Sequence, residues 1–194
     1  MKKTFIIIGV LLIIAVLYLF SYYNRFVTAA ENVDGQWAQV ETQYQRRADL
    51  IPNLVNTVQG AASFEQETQT KIAALRTQAA AAQQAWEGAD TRADQIAAAG
   101  QIDEVVRGFQ GLNINVENYP QLRATENFQT FQAQLEGTEN RVSVARTRFN
   151  DEVRGYNVLI KRFPGNVLAG MFGFDEEAYF ESDEGSEVAP VVEF

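Results

Sequence analysis

Arg46, Arg47 and Asp49 crowd into the start of the run RRADLIPNLVNTV, residues 46–58. Guanidinium and carboxylate groups this close in sequence can lock one another as ion pairs, or present a charged site to an anionic or peptide ligand. A second set of the same chemistry, Glu139, Arg141, Arg146 and Asn150, lies far along the chain. Together the seven residues can build either a structural polar clamp or a binding site. Asp103-Glu104 and Asp151-Glu152 are adjacent carboxylate pairs. Neighbours on a helix point to different faces, so these read as solvated surface rather than as acid/base pairs. The acidic run from Glu181 to Glu187 lacks the spaced oxygen ligands and turn glycine of a calcium loop, and reads as solvated tail.

The chain has no His and no Cys. Ser-His and Cys-His nucleophile activation, imidazole relays, thiolate zinc sites and disulfides are therefore excluded. No catalytic, cofactor-binding or metal-ligating set is expected, and the chain reads as a non-enzyme. The net charge is −9, and with Lys2 and Lys3 set aside 14 basic residues face 25 acidic ones. Such a surface repels phosphate backbones, so nucleic acid is not an expected partner.

The elements that must position these groups are helices. From Ala30 the apolar residues Val33, Trp37, Val40, Tyr44, Ile51, Leu54 and Val58 recur at alternating steps of three and four, with Arg47 filling the one charged place on that face. A desolvated arginine needs a carboxylate, because an unpaired buried charge costs several kcal/mol, and Glu139 is the candidate partner. Pro52 falls inside the stripe, where it removes a backbone donor and predicts a kink. Upstream, residues 4–23 (Thr4 to Tyr23) hold no charge. Twenty helical residues rise about 30 Å, the thickness of a bilayer core. Tyr18, Phe20, Tyr22 and Tyr23 stand at the far end, where amphipathic rings favour the interface. The rival reading is a cleaved signal peptide with a site near Thr28-Ala29-Ala30, but the run is longer than a signal-peptide core and its aromatics sit where a cleavage region wants small residues, so an uncleaved anchor is expected. Lys2, Lys3 and the amino terminus outweigh Arg25, which places the N-terminus in the cytoplasm and the large domain outside.

Three further helical stripes follow. Gly60, Ser63 and Gln66 read as a C-terminal glycine followed by a capping box, which favours a break near Gly60, while the shared heptad phase of the stripes on either side argues for one unbroken helix. Ile72, Leu75, Ala79, Ala82 and Trp86 form one stripe, and Ala98, Ile102, Val105, Phe109, Leu112 and Val116 another. The Ala- and Gln-rich stretch 79–100 offers little to bury and reads as exposed or loosely packed helix around a turn at Gly88 to Asp90. Gly108 and Gly111 should fray the third helix, which ends before Tyr119-Pro120. Thr125 caps a last helix whose stripe runs through Phe128, Phe131, Leu135, Val142, Ala145, Phe149, Val153, Tyr156, Ile160 and Phe163, with Pro164-Gly165 as its stop. Asn150 and Asn157 lie seven apart on it, where polar groups can specify register. VLAGMFGF, residues 167–174, reads as a short apolar turn or helix covering one end of the bundle. The tail from Asp175 carries eight acidic and no basic residues. Its Tyr179, Phe180, Val188, Val191, Val192 and Phe194 predict partial packing in extended form.

These motifs together resemble the LemA family. The resemblance rests on the anchor, RRADLIPNLV at residues 46–55, ENYPQLRATENF at 117–128, LEGTENRVSVARTRFNDEVRGYN at 135–157, FPGNVLAGMFGF at 163–174 and the acidic, apolar tail. It implies a four-helix bundle beside one transmembrane helix and supplies no reaction. It also implies an external N-terminus, opposite to the charge count, so orientation stays open.

The expected architecture is all-α, with a single transmembrane helix at 4–23 behind a short cap at 1–3. An up-and-down four-helix bundle of long helices follows at 24–174, and an extended acidic tail at 175–194 is partly packed on it. The expected role is a structural or interaction protein of the bacterial cell membrane. Its partners are the bilayer and copies of itself or other membrane proteins. A regulatory or ligand-sensing adaptor with a polar site near Arg46, Arg47 and the last helix is the alternative.

Overall fold

The computed structural model describes residues 2–60, 66–115 and 126–180. Among them are five helices and no strand: α1 (Lys2–Gly60), α2 (Gln66–Glu87), α3 (Arg92–Asn115), α4 (Glu126–Lys161) and α5 (Gly165–Phe172). The fold is all-α. Its 59-residue first helix begins with the charge-free apolar run and carries Pro52 in its interior. The break expected near Gly60, with its Ser63 cap, falls on residues outside the described set, as do Thr125 and Tyr119-Pro120, and the side chains of Leu54, Val58, Leu112, Phe128 and Phe131 lie outside it as well.

The chain divides into two compact units, Ala38–Ala145 and Met1–Trp37 with Arg146–Phe194. The first is a four-helix bundle. Val40, Tyr44, Ala48, Ile51 and Val55 from α1 supply its core together with Ile72, Leu75, Ala79, Ala82 and Trp86 from α2. The other two helices add Ala98, Ala99, Ile102, Val105, Val106 and Phe109 from α3, and Leu135, Val142 and Ala145 from α4. A four-residue turn joins α2 to α3, the short connection that makes neighbouring helices antiparallel. Thr91 caps α3, its hydroxyl accepting from the Asp94 amide at 3.1 Å and donating to the Asp94 carboxylate at 2.6 Å. Both details follow from a Thr three residues ahead of an acid.

Within the alanine-rich stretch the stripe members Ala79, Ala82 and Ala98 are buried, and so is Ala99 beside them, because side chains this small let helices pack closely. Gly108 lies inside α3. A Cβ there would run into Leu75 Cδ2, so the glycine makes room for a leucine of α2.

In the other unit Phe26, Val33 and Trp37 of α1 are buried with Phe149, Val153, Tyr156 and Ile160 of α4, Leu168 and Ala169 of α5, and Phe180. Trp37 meets the Phe149 ring edge-on at 5.1 Å and stacks with Phe180 at 6.4 Å. The stripe on α4 stops with the helix at Lys161. Phe163, expected as its last buried member, is 84% exposed. It lies past the final turn, where helical phase no longer sets its direction, and precedes the cis Phe163–Pro164 bond. Gly173 closes α5 in the left-handed region (φ 76°), a conformation that costs glycine nothing, and residues 174–180 continue without helix or strand.

Candidate functional site

Arg47 is 2% exposed, placed in the bundle core by the three-and-four spacing that also buries Tyr44 and Ile51. Its Nη1 donates to Asp103 Oδ1 of α3 and its Nη2 to Glu139 Oε2 of α4. The second Asp103 oxygen accepts the Tyr44 hydroxyl at 2.9 Å. Asp103 is itself buried, its side chain 5% exposed, whereas that of Glu139 is 54% exposed. One guanidinium thus ties three helices, with a dry carboxylate on one side and a wet one on the other. A fork of N–H donors is suited to this task, and an ammonium is not. Arg47 Nε has no hydrogen-bond partner. Around the cluster Trp86 packs on Tyr44 at 5.5 Å and donates to Gln45 at 3.1 Å, and Gln95 donates to Glu41 at 2.6 Å.

The other residues singled out in the sequence divide. Arg46 and Asp49 are exposed, and Asp49 accepts from Gln45 on its own helix at 2.9 Å. Arg141 is exposed as well. Arg146 and Asn150 belong to the other unit, and both meet Phe180: the Arg146 guanidinium lies 4.2 Å from the ring centroid. Asn150 makes two bonds to the Phe180 backbone, donating to the carbonyl and accepting from the amide, each at 2.8 Å. Asn157 repeats the arrangement one heptad on with Glu177, at 2.8 and 3.0 Å. Between them Tyr156 donates to the Asp175 carbonyl at 2.8 Å. Lys161 pairs with Glu176 at the exposed edge. The two asparagines therefore hold an extended strap by its main chain, each amide matching a backbone donor and acceptor together. Burial pushes the Tyr156 phenol above its ordinary pKa, and Glu177, Asp175 and Asp34 push it further.

Asp103 corrects the reading of Asp103-Glu104 as a solvated pair. Its signal is a second row on α3, Ala99, Asp103 and Val106, stepped by four and three beside the main stripe. Among the described residues no group of three or more acidic side chains is placed to hold a metal ion, and the Glu181 to Glu187 run lies outside them.

Fold and cluster define the class: an all-helical bundle protein with an apolar N-terminal helix and an arginine-centred ionic core. The chain matches the LemA family over residues 36–194, and it belongs to that family. It is similar to magnetosome proteins MamQ 1 and MamQ 2 of Paramagnetospirillum magneticum, each 26% identical over 195 aligned positions that cover 90% of this chain and 71% of the relative. The magnetosome protein MamQ of Magnetospirillum gryphiswaldense is 26% identical over 177 positions, covering 81% of this chain and 64% of that protein.

Proposed function

We propose that this protein is a single-pass, non-enzymatic structural protein of the bacterial cell membrane that presents its helical bundle at the bilayer surface and assembles there with copies of itself or with other membrane proteins. The observation that carries this reading is α1 itself. Its apolar side chains from Phe5 to Tyr18, and Phe20, are exposed, while the same helix buries Phe26, Val33 and Trp37 in one unit and Val40, Tyr44 and Ile51 in the other. An exposed apolar run of this length matches a bilayer, and the helix that carries it goes on to supply buried residues to each unit. Confinement to a membrane raises the effective concentration of the copies, so weak lateral contacts suffice. Lys2 and Lys3 favour a cytoplasmic N-terminus and an external bundle.

Within this reading Arg47, Asp103, Glu139 and Tyr44 are a register clamp. Both terminal nitrogens of the guanidinium are spent on carboxylates, so its charge serves the fold and not a ligand. The adaptor reading is favoured by one feature, the half-exposed Glu139 edge of the cluster. Crosslinking in native membranes, with mass-spectrometric identification of the products, separates the two. Self-crosslinks or a constant set of membrane partners support the assembly role. A strict monomer without partners, together with saturable small-molecule binding lost in Glu139→Gln, supports the adaptor.

A further inference from the structure

Helix α5 buries only one side. Leu168 and Ala169 face the core, while Val167 and Met171, one turn apart, are 54% and 68% exposed, and Phe163 ahead of them is more exposed still. A monomer in water gains nothing by showing these three large apolar groups, Phe163, Val167 and Met171, so close together in the chain. Their setting says what covers them. Phe172 meets Tyr23 edge-on at 5.3 Å, and Phe174 meets Tyr23 and Phe26 at 5.9 and 5.1 Å. A groove of about 360 Å³ is lined by Val16, Leu19, Phe20, Tyr23 and Phe172, which present only apolar atoms to it. From Tyr23 to Val16 the groove follows α1 for two turns, about 10 Å. That is the depth at which an amphipathic helix sits below the headgroups.

The geometry points to a second membrane contact: α5 lies in the interfacial zone of the bilayer that α1 crosses, with Phe163, Val167 and Met171 among the acyl chains and a chain filling the groove beside Phe172. This rests on the membrane-crossing reading of residues 4–23. The occupant is lipid because the exposed face of α5 is continuous, through Phe172 and Tyr23, with the exposed apolar surface of that segment. Two contacts at different depths fix the tilt of the anchored unit, which a single helix free to rotate about its axis does not.

A chain without cysteine allows clean single-site labelling. The full-length protein carries an environment-sensitive fluorophore at M171C, V167C, I13C or V144C, one position at a time. Each variant is reconstituted in vesicles of equimolar phosphatidylcholine and phosphatidylglycerol, with a spin-labelled lipid quencher at a shallow or a deep acyl position. Labels at Met171 and Val167 are expected to shift to shorter wavelength and lose most of their intensity to the shallow quencher. The label at Ile13 should respond most to the deep quencher, and that at Val144 to neither. A quenched Ile13 label beside unquenched Met171 and Val167 labels overturns the α5 contact and leaves the anchor standing. An unquenched Ile13 label overturns the anchor, and the α5 contact with it. Labels on α5 shielded from both lipid quencher and aqueous iodide indicate a protein partner on this face and overturn the lipid assignment.

Discussion

The bundle unit and the strap-bearing unit each bury polar groups on the seam of a long helix, and they satisfy them by opposite means. In the bundle, Arg47 meets carboxylates on two other helices, Asp103 and Glu139. In the other unit, Asn150 and Asn157 meet the main chain of residues 177–180. A buried ion joins elements far apart in sequence and tolerates no missing partner, since what remains is an uncompensated charge. A neutral amide joined to a backbone amide and carbonyl leaves behind only groups that water can satisfy once the strap lifts. Loss of the buried partner should therefore be costly to the whole bundle. Loss of a strap bond should loosen residues 177–180 while the helices stay protected.

The largest effect is expected from Arg47→Met. The methionine fills the space, yet Asp103 stays buried without its cation, so the variant should lose about 3–5 kcal/mol in denaturant unfolding of the detergent-solubilised protein. Adding Asp103→Leu should recover much of that loss, because an apolar core no longer carries a stranded carboxylate. A methionine variant as stable as the parent would break the contrast between the units. Next in size is Asn157→Ala, which removes two strap bonds and should cost about 1–3 kcal/mol. Its sharper mark is local: hydrogen exchange at the Glu177 and Phe180 amides should rise while the α4 amides stay protected.

Tyr156→Phe should cost about 1 kcal/mol near neutral pH, the worth of its hydrogen bond to the Asp175 carbonyl. The sign of its pH dependence follows from the raised phenol pKa. The folded state holds the proton more tightly than the unfolded chain, so the contribution is complete below about pH 10 and is lost as the pH rises through the folded value. Thermal scans of parent and variant should therefore differ by a constant amount below about pH 10 and converge as the pH rises above it.

How much of this could be read beforehand differs between the same two regions. Helical spacing alone located Arg47 on a face with Tyr44 and Ile51, since one helix dictates its own periodicity. Asp103 escaped because an acid flanked by Glu104 looks solvated until its helix is seen to bury two rows, Ala99 and Val106 as well as Ile102 and Val105. That width is decided by how many neighbours surround α3, which is tertiary information. Asn150 and Asn157 stood out by their heptad spacing. Their partners are backbone atoms of an extended segment, and backbone atoms leave no trace in residue type. Phe163 was misplaced because a stripe was continued one step beyond the helix that sustains it.

The smallest effect, Glu139→Gln, tests whether the ionic cluster has two unequal sides. The Glu139 carboxylate is half in water, so its attraction to Arg47 is screened and its removal restores solvation that burial had not fully taken away. Glutamine keeps an oxygen that can accept from Nη2, and Arg47 keeps Asp103. The loss should stay below about 1 kcal/mol and shrink further in added salt. A loss comparable to that of Arg47→Met would mean that the guanidinium cannot stand on Asp103 alone. The three charges would then form one indivisible network, and the exposed edge of the cluster would be as structural as its core.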